Sequence, residues 1–226
     1  MNSMMIWIVM IAVMILSFVI QWMLKKRFRE YGEVPITSGL TGAQVAQRML
    51  LDNGIHDVSV VCVDGSLTDH YNPETRTVNL SEEVFHGRSV ASAAVAAHEC
   101  GHALQHAAGY GPLKLRSALV PVVTFANKWV MWVLLAGVLL VEVFPQLLWI
   151  GIGLFALTTL FSLVTLPVEI NASRRALGWL ELAGITSYET RPMAASALRW
   201  AAYTYVIAAL GSVATLFYYI SIGSRR

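Results

Sequence analysis

A chain of 226 residues that is 56% hydrophobic and only 13% charged is too apolar for a soluble domain of its size. With a mean hydropathy of +0.59 it reads as a mainly α-helical integral membrane protein, in contact with a lipid bilayer. A net charge of +2 gives no ground for a nucleic-acid partner, and Cys62 and Cys100 make neither a disulfide framework nor a cysteine zinc site.

Residues 4–24 form one apolar run, long enough as a helix to cross a hydrocarbon core of about 30 Å. The run is too long for a signal-peptide core, has no basic residues before it and no small-residue cleavage site after it. Residues 1–24 are therefore expected to be an uncleaved anchor. "KKRFRE" follows, and positive flanks favour the cytoplasm. That places residues 25–116, with nine lysines and arginines, on the cytoplasmic side.

The cytoplasmic segment looks globular. Residues 41–53 predict an amphipathic helix with Val45, Met49 and Leu50 on one side, Thr41 as its cap and Gly54 at its end. Residues 57–63 predict a strand. Asn72-Pro73 marks a turn, and residues 77–80 a second, short strand. The alanine-rich stretch 89–107 predicts a helix closed by Gly109, Gly111 and Pro112.

Residues 117–168 read as two further spans, 117–144 and 147–168, joined by an outside turn at "VFPQ". Asn127 and Lys128 interrupt the first. Lys128 can snorkel, line an aqueous cavity, or show that the span starts later. Residues 169–199 are polar, with Arg174, Arg175 and Arg191, and are expected back in the cytoplasm. Residues 200–226 give a last span and a tail whose Arg225 and Arg226 would lie outside.

The stretch "AAHECGHALQH" holds His98, Glu99 and His102 in the pattern H-E-x-x-H. On a helix, i and i+4 share a face, so both imidazoles can reach one metal ion at about 2.0–2.1 Å. Glu99, beside the first ligand, is placed to act as general base on a water at the open position, whose pKa zinc lowers to about 7. Such a centre needs a third protein ligand. His106 lies eight residues from His98, displaced by about 12 Å along the axis, and suits a supporting role better. Glu169, directly after the third apolar block and Pro167, is the better candidate, because an acid at the end of a span has no evident structural purpose. One zinc ion per chain is the expectation, although a His/His/Glu set accepts other divalent ions.

Three stretches, "AAHECGHALQH", "TDHYNPETRTVNLSEEVF" and "LPVEINASRRAL", resemble the YugP-like neutral zinc metallopeptidases of bacterial membranes. More distantly the chain is similar to the HtpX-like integral-membrane metallopeptidases. The resemblance implies four transmembrane helices with a small α+β, zincin-like cytoplasmic domain carrying the motif helix, and a place in the bacterial inner membrane. It implies a gluzincin-type ligand set of His98, His102 and Glu169. In the distant family the third ligand sits in E-x-x-A-D-R, with the aspartate expected to orient a histidine. Here Ser173 replaces that aspartate, and Asn171 is the other local candidate for the role. By the same resemblance residues 77–80 would be an exposed edge that adds a peptide strand; an ordinary buried strand is the alternative. His70, Tyr71, Arg174 and Arg175 are candidates for stabilising an oxyanion.

The expected function is a zinc endopeptidase acting on peptide or protein substrates at the cytoplasmic membrane face, with a regulatory membrane partner or an oligomer in keeping with its small size. The alternative is a non-catalytic membrane protein with a structural or partner-binding zinc site. Glu99 argues against it, because a structural site needs no base and favours a closed fourth position.

Overall fold

The computed structural model describes residues 3–224; Arg225 and Arg226, expected outside the membrane, fall beyond the described residues. In chain order the elements are α1 (Ser3–Gly32), α2 (Gly42–Asp52), β1 (Ser59–Val63), β2 (His70–Asn72), β3 (Thr77–Ser81), α3 (Glu82–His86), α4 (Val90–Ala107), α5 (Gly111–Leu139), α6 (Pro145–Leu182) and α7 (Arg191–Gly223). Among the described residues four helices are long and apolar enough to cross a membrane: Trp7–Gly32, α5, α6 and α7. The chain forms two compact units, one of residues 1–20, 114–166 and 204–226, the other of residues 21–113 and 167–203.

The first unit is built from apolar helix. Leu134, Leu148 and Ile152 form its buried centre, with Tyr219 and Ile220 of α7 packed against them. A Cβ on Gly137 would meet the Leu148 Cα at 2.6 Å, so α5 and α6 approach there backbone to backbone. Polar side chains join helices: the Thr158 hydroxyl donates to Asn127 Oδ1 at 3.0 Å, and Ser162 meets Ser212 at 2.9 Å. Asn127 is thus a contact within the span rather than a break in it. Lys128 is exposed.

The second unit has a mixed three-stranded sheet of order β1-β3-β2, with β1 parallel and β2 antiparallel to β3. Of the two readings of residues 77–80, the buried strand holds and the exposed edge is corrected. β3 is the central strand, with Val78 and Leu80 fully buried, and β2 is an edge. Asn72 Oδ1 accepts from the backbone N–H groups of Glu74 and Thr75, which makes the expected turn, and Arg76 closes it in the left-handed region at φ +52°. Thr41 caps α2 in a reciprocal capping box with Gln44. The core gathers Val45 and Met49 of α2, Val78 and Leu80, and the alanines of α4.

The helix expected to end near residue 168 continues through Pro167 to Leu182. Proline removes one ladder bond but does not end this helix. The physical reason lies in the spacing: Val168, Ala172, Ala176 and Leu180 recur every four residues and are all fully buried. The polar residues between them occupy the other faces. Glu169 therefore sits inside a helix, not at its foot.

Candidate metal centre

Two close packings build the site. Ser89 caps α4, its hydroxyl oxygen accepting from the Ser92 N–H at 3.1 Å, which starts the motif helix within the core. Further along α4, a Cβ on Gly101 would meet the Ala172 carbonyl oxygen at 2.6 Å. Only glycine permits this contact with α6. It lies one residue from His102 and three from Glu169, so it sets the reach between the two helices' side chains.

Glu169 Oε2 lies 3.2 Å from His98 Nε2 and 3.6 Å from His102 Nε2. One ligand atom from each residue falls within 4.8 Å of the others. Ligands at about 2.0–2.1 Å from a tetrahedral ion stand about 3.3–3.4 Å apart. The two Glu169–imidazole spacings bracket that edge, so both are compatible with three protein ligands on one tetrahedral zinc ion. Glu169 and His102 are buried, at 3% and 8% exposure. Burial on its own would lower the His102 pKa. The hydrogen bond to Glu169 and the charges of Glu99 and Glu169 override it and raise the pKa. The same two carboxylates carry the negative charge that a metal cation at this site would meet.

The other face of each imidazole is held. Gln105, fully buried, donates from Nε2 to the Val168 carbonyl at 2.8 Å and to Asn171 Oδ1 at 3.1 Å. A carbonyl only accepts, which fixes the amide's orientation. Its Oε1 therefore faces His102 Nδ1 at 3.1 Å, and that nitrogen donates, leaving Nε2 as a lone pair. Ser173 Oγ stands 3.1 Å from His98 Nδ1 and accepts from it when Nε2 serves as the ligand. Arg175 Nε donates to Asn171 Oδ1 at 2.8 Å and so closes the network from α4 to α6.

Glu99 is buried beside the ligands, and its Oε2 accepts the backbone N–H of Tyr71 on β2 at 3.1 Å. The remaining sequence candidates lie elsewhere. Asn171 touches Gln105 and Arg175, not a ligand ring. His106 Nδ1 pairs with the Tyr71 hydroxyl at 2.8 Å, away from the three-ligand set. His70 is tied into its own hairpin, Nδ1 to the Thr68 carbonyl at 2.7 Å and Nε2 to Asn79. Arg174 is exposed. Gln105 is the supporting residue that the sequence reading passed over. Its signal was present: an amide three residues after a ligand, on the buried side of an alanine-rich helix.

Fold and site together define a membrane protein carrying a helix-borne His/His/Glu centre suited to a divalent metal. The chain belongs to the family described as "Putative neutral zinc metallopeptidase", which matches residues 6–224. It is also 44% identical, over 212 residues, to the "Putative membrane protease YugP" of Bacillus subtilis (strain 168), covering 94% of this chain and 93% of that one. No solved structure matches the chain.

Proposed function

We propose that this protein is a zinc-dependent membrane endopeptidase in which His98, His102 and Glu169 hold the metal and Glu99 is the general base. The observation that carries the reading is the convergence of ligand atoms from His98, His102 and Glu169, with Glu169 Oε2 3.2 and 3.6 Å from the two imidazole nitrogens, and a carboxylate adjacent to the first histidine. A bound zinc ion would supply Lewis acidity toward a peptide carbonyl at the fourth position. The chain supplies the rest. The Tyr71 N–H holds Glu99 Oε2, which leaves Oε1 for the attacking water. Glu99 takes that water's proton as the carbon–oxygen bond forms, then delivers it to the leaving nitrogen as the peptide bond breaks. Ser173 and Gln105 hold the imidazoles with Nε2 inward.

The same proposal places a zincin-like, gluzincin-type domain at the cytoplasmic face of a bacterial inner membrane, with the basic run after the first span supporting that orientation. Its substrates are peptide bonds of proteins, and a regulatory membrane partner or an oligomer fits so small an enzyme. The test is Glu99→Gln in purified protein. Zinc content is expected to stay near one per chain while hydrolysis of a quenched peptide falls by at least about a hundredfold. Retained cleavage in that variant would remove Glu99 from the mechanism.

A further inference from the structure

A groove of about 600 Å³ runs between the end of α1 and the first half of α4. On α4 its floor includes Ala91 and Val95. These two precede His98 and His102 at steps of four, three and four residues, so all four share one stripe of the helix. The groove therefore lies along the same stripe of α4 as the candidate metal centre, on its N-terminal side. From Ala91 to His102 is about 16 Å along the axis, which an extended chain covers with about five residues.

The walls differ in chemistry. Phe28 of α1, Leu67 and Val84 supply apolar surface. Lys25 and Arg29, four apart on one face of α1, supply positive charge; both are exposed and neither makes an ion pair among the described residues. Two acids also reach the groove. Asp69 is occupied, accepting from the backbone N–H and the hydroxyl of Ser81 at 2.8 and 3.1 Å. Glu83 is exposed on α3. The α1 wall thus carries two positive charges free of partners, so selection acts on the position of a charge rather than on overall charge.

We infer that this groove binds the substrate chain on one side of the scissile bond and selects an acidic residue about five positions from the bond. The acidic side chain pairs with Lys25 and Arg29. The inference rests on the endopeptidase reading and specifies its substrate class.

The test uses full-length, zinc-loaded protein in detergent and quenched decapeptides with an apolar residue beside the scissile bond. The residue five positions away is aspartate, asparagine or lysine, on the amino-terminal side in one series and the carboxyl-terminal side in the other. In one series kcat/KM is expected to fall in the order aspartate, asparagine, lysine, by roughly three- to tenfold across the set, as two solvated ion pairs allow. The order should flatten in 0.5 M salt. It should reverse in Lys25→Glu/Arg29→Glu and vanish in Lys25→Gln/Arg29→Gln, with zinc content confirming that each variant folds. Hydrolysis by the wild type without an order in either series overturns the inference and leaves the endopeptidase reading standing. An order that survives charge reversal overturns it too, as does one that anionic phospholipid erases, which would assign the groove to lipid. No hydrolysis of any peptide would sink the endopeptidase reading and this inference with it.

Discussion

Gln105→Leu probes the proposed metal centre without touching any of its three candidate ligands. The substitution nearly conserves volume at a fully buried position. It removes three hydrogen bonds, from His102 Nδ1 at 3.1 Å, to the Val168 carbonyl at 2.8 Å and to Asn171 at 3.1 Å. Their losses are unequal. Asn171 keeps Arg175, and Val168 lies within α6, where its carbonyl has the helix ladder. Only the His102 N–H is orphaned. Leaving a buried donor unpaired costs about 1–3 kcal/mol. The ring also loses the contact that selects its tautomer, which for metal-bound histidines costs about 10–100-fold in affinity. Competition with a zinc-chelating dye is expected to show that loss, beside a fall in Tm. Gln105→Glu should recover affinity, since a carboxylate oxygen again accepts from Nδ1, yet not stability, since its other oxygen faces the Val168 carbonyl. Wild-type zinc affinity in a folded Gln105→Leu protein would refute the assignment of Gln105 as the residue that orients His102.

Two further outcomes follow from the same packing. Gly101→Ala forces a methyl to within 2.6 Å of the Ala172 carbonyl oxygen, a backbone atom with no cheap way to move; a loss of about 1–3 kcal/mol and weaker zinc binding are expected by thermal unfolding and dye competition, and wild-type values in both would count against the α4–α6 contact. Burial, and then the charge of Glu99, push the Cys100 thiol well above its ordinary range, while Cys62 is exposed. Iodoacetamide at pH 8.5 should therefore label one cysteine in the folded protein and two after denaturation, whereas two rapid labels in the native state would contradict the burial. The unfolded thiol releases its proton near pH 8.5 and the folded one does not, so this group lowers stability as pH rises past that value.

The sequence made the histidine pair legible because the information is local: His98 and His102 need only a helix between them. The cap of α2 was legible for the same reason, with Thr41 standing where the helix begins. Glu169 could be singled out as an acid after an apolar block, but its setting could not. The stripe of Val168, Ala172, Ala176 and Leu180 is interleaved with Asn171, Ser173, Arg174 and Arg175, and composition reads such a stretch as a polar segment. β2 escaped notice because three residues, His70–Asn72, carry too little pattern. The central place of β3 depends on a parallel partner eighteen positions earlier in the chain, Ser59 opposite Thr77, which no local signal encodes. Gln105 was visible but had no meaning until α6 supplied Val168 and Asn171 as its partners.

The central claim is that three side chains from two helices bind one metal. Elemental analysis of the detergent-purified protein, wild type beside Glu169→Ala, tests it most directly. About one zinc per chain in the wild type and a clear loss in the variant is the expected result. Zinc that persists at full occupancy in Glu169→Ala would show that the third ligand is not Glu169, and zinc absent from both would contradict the metal centre itself.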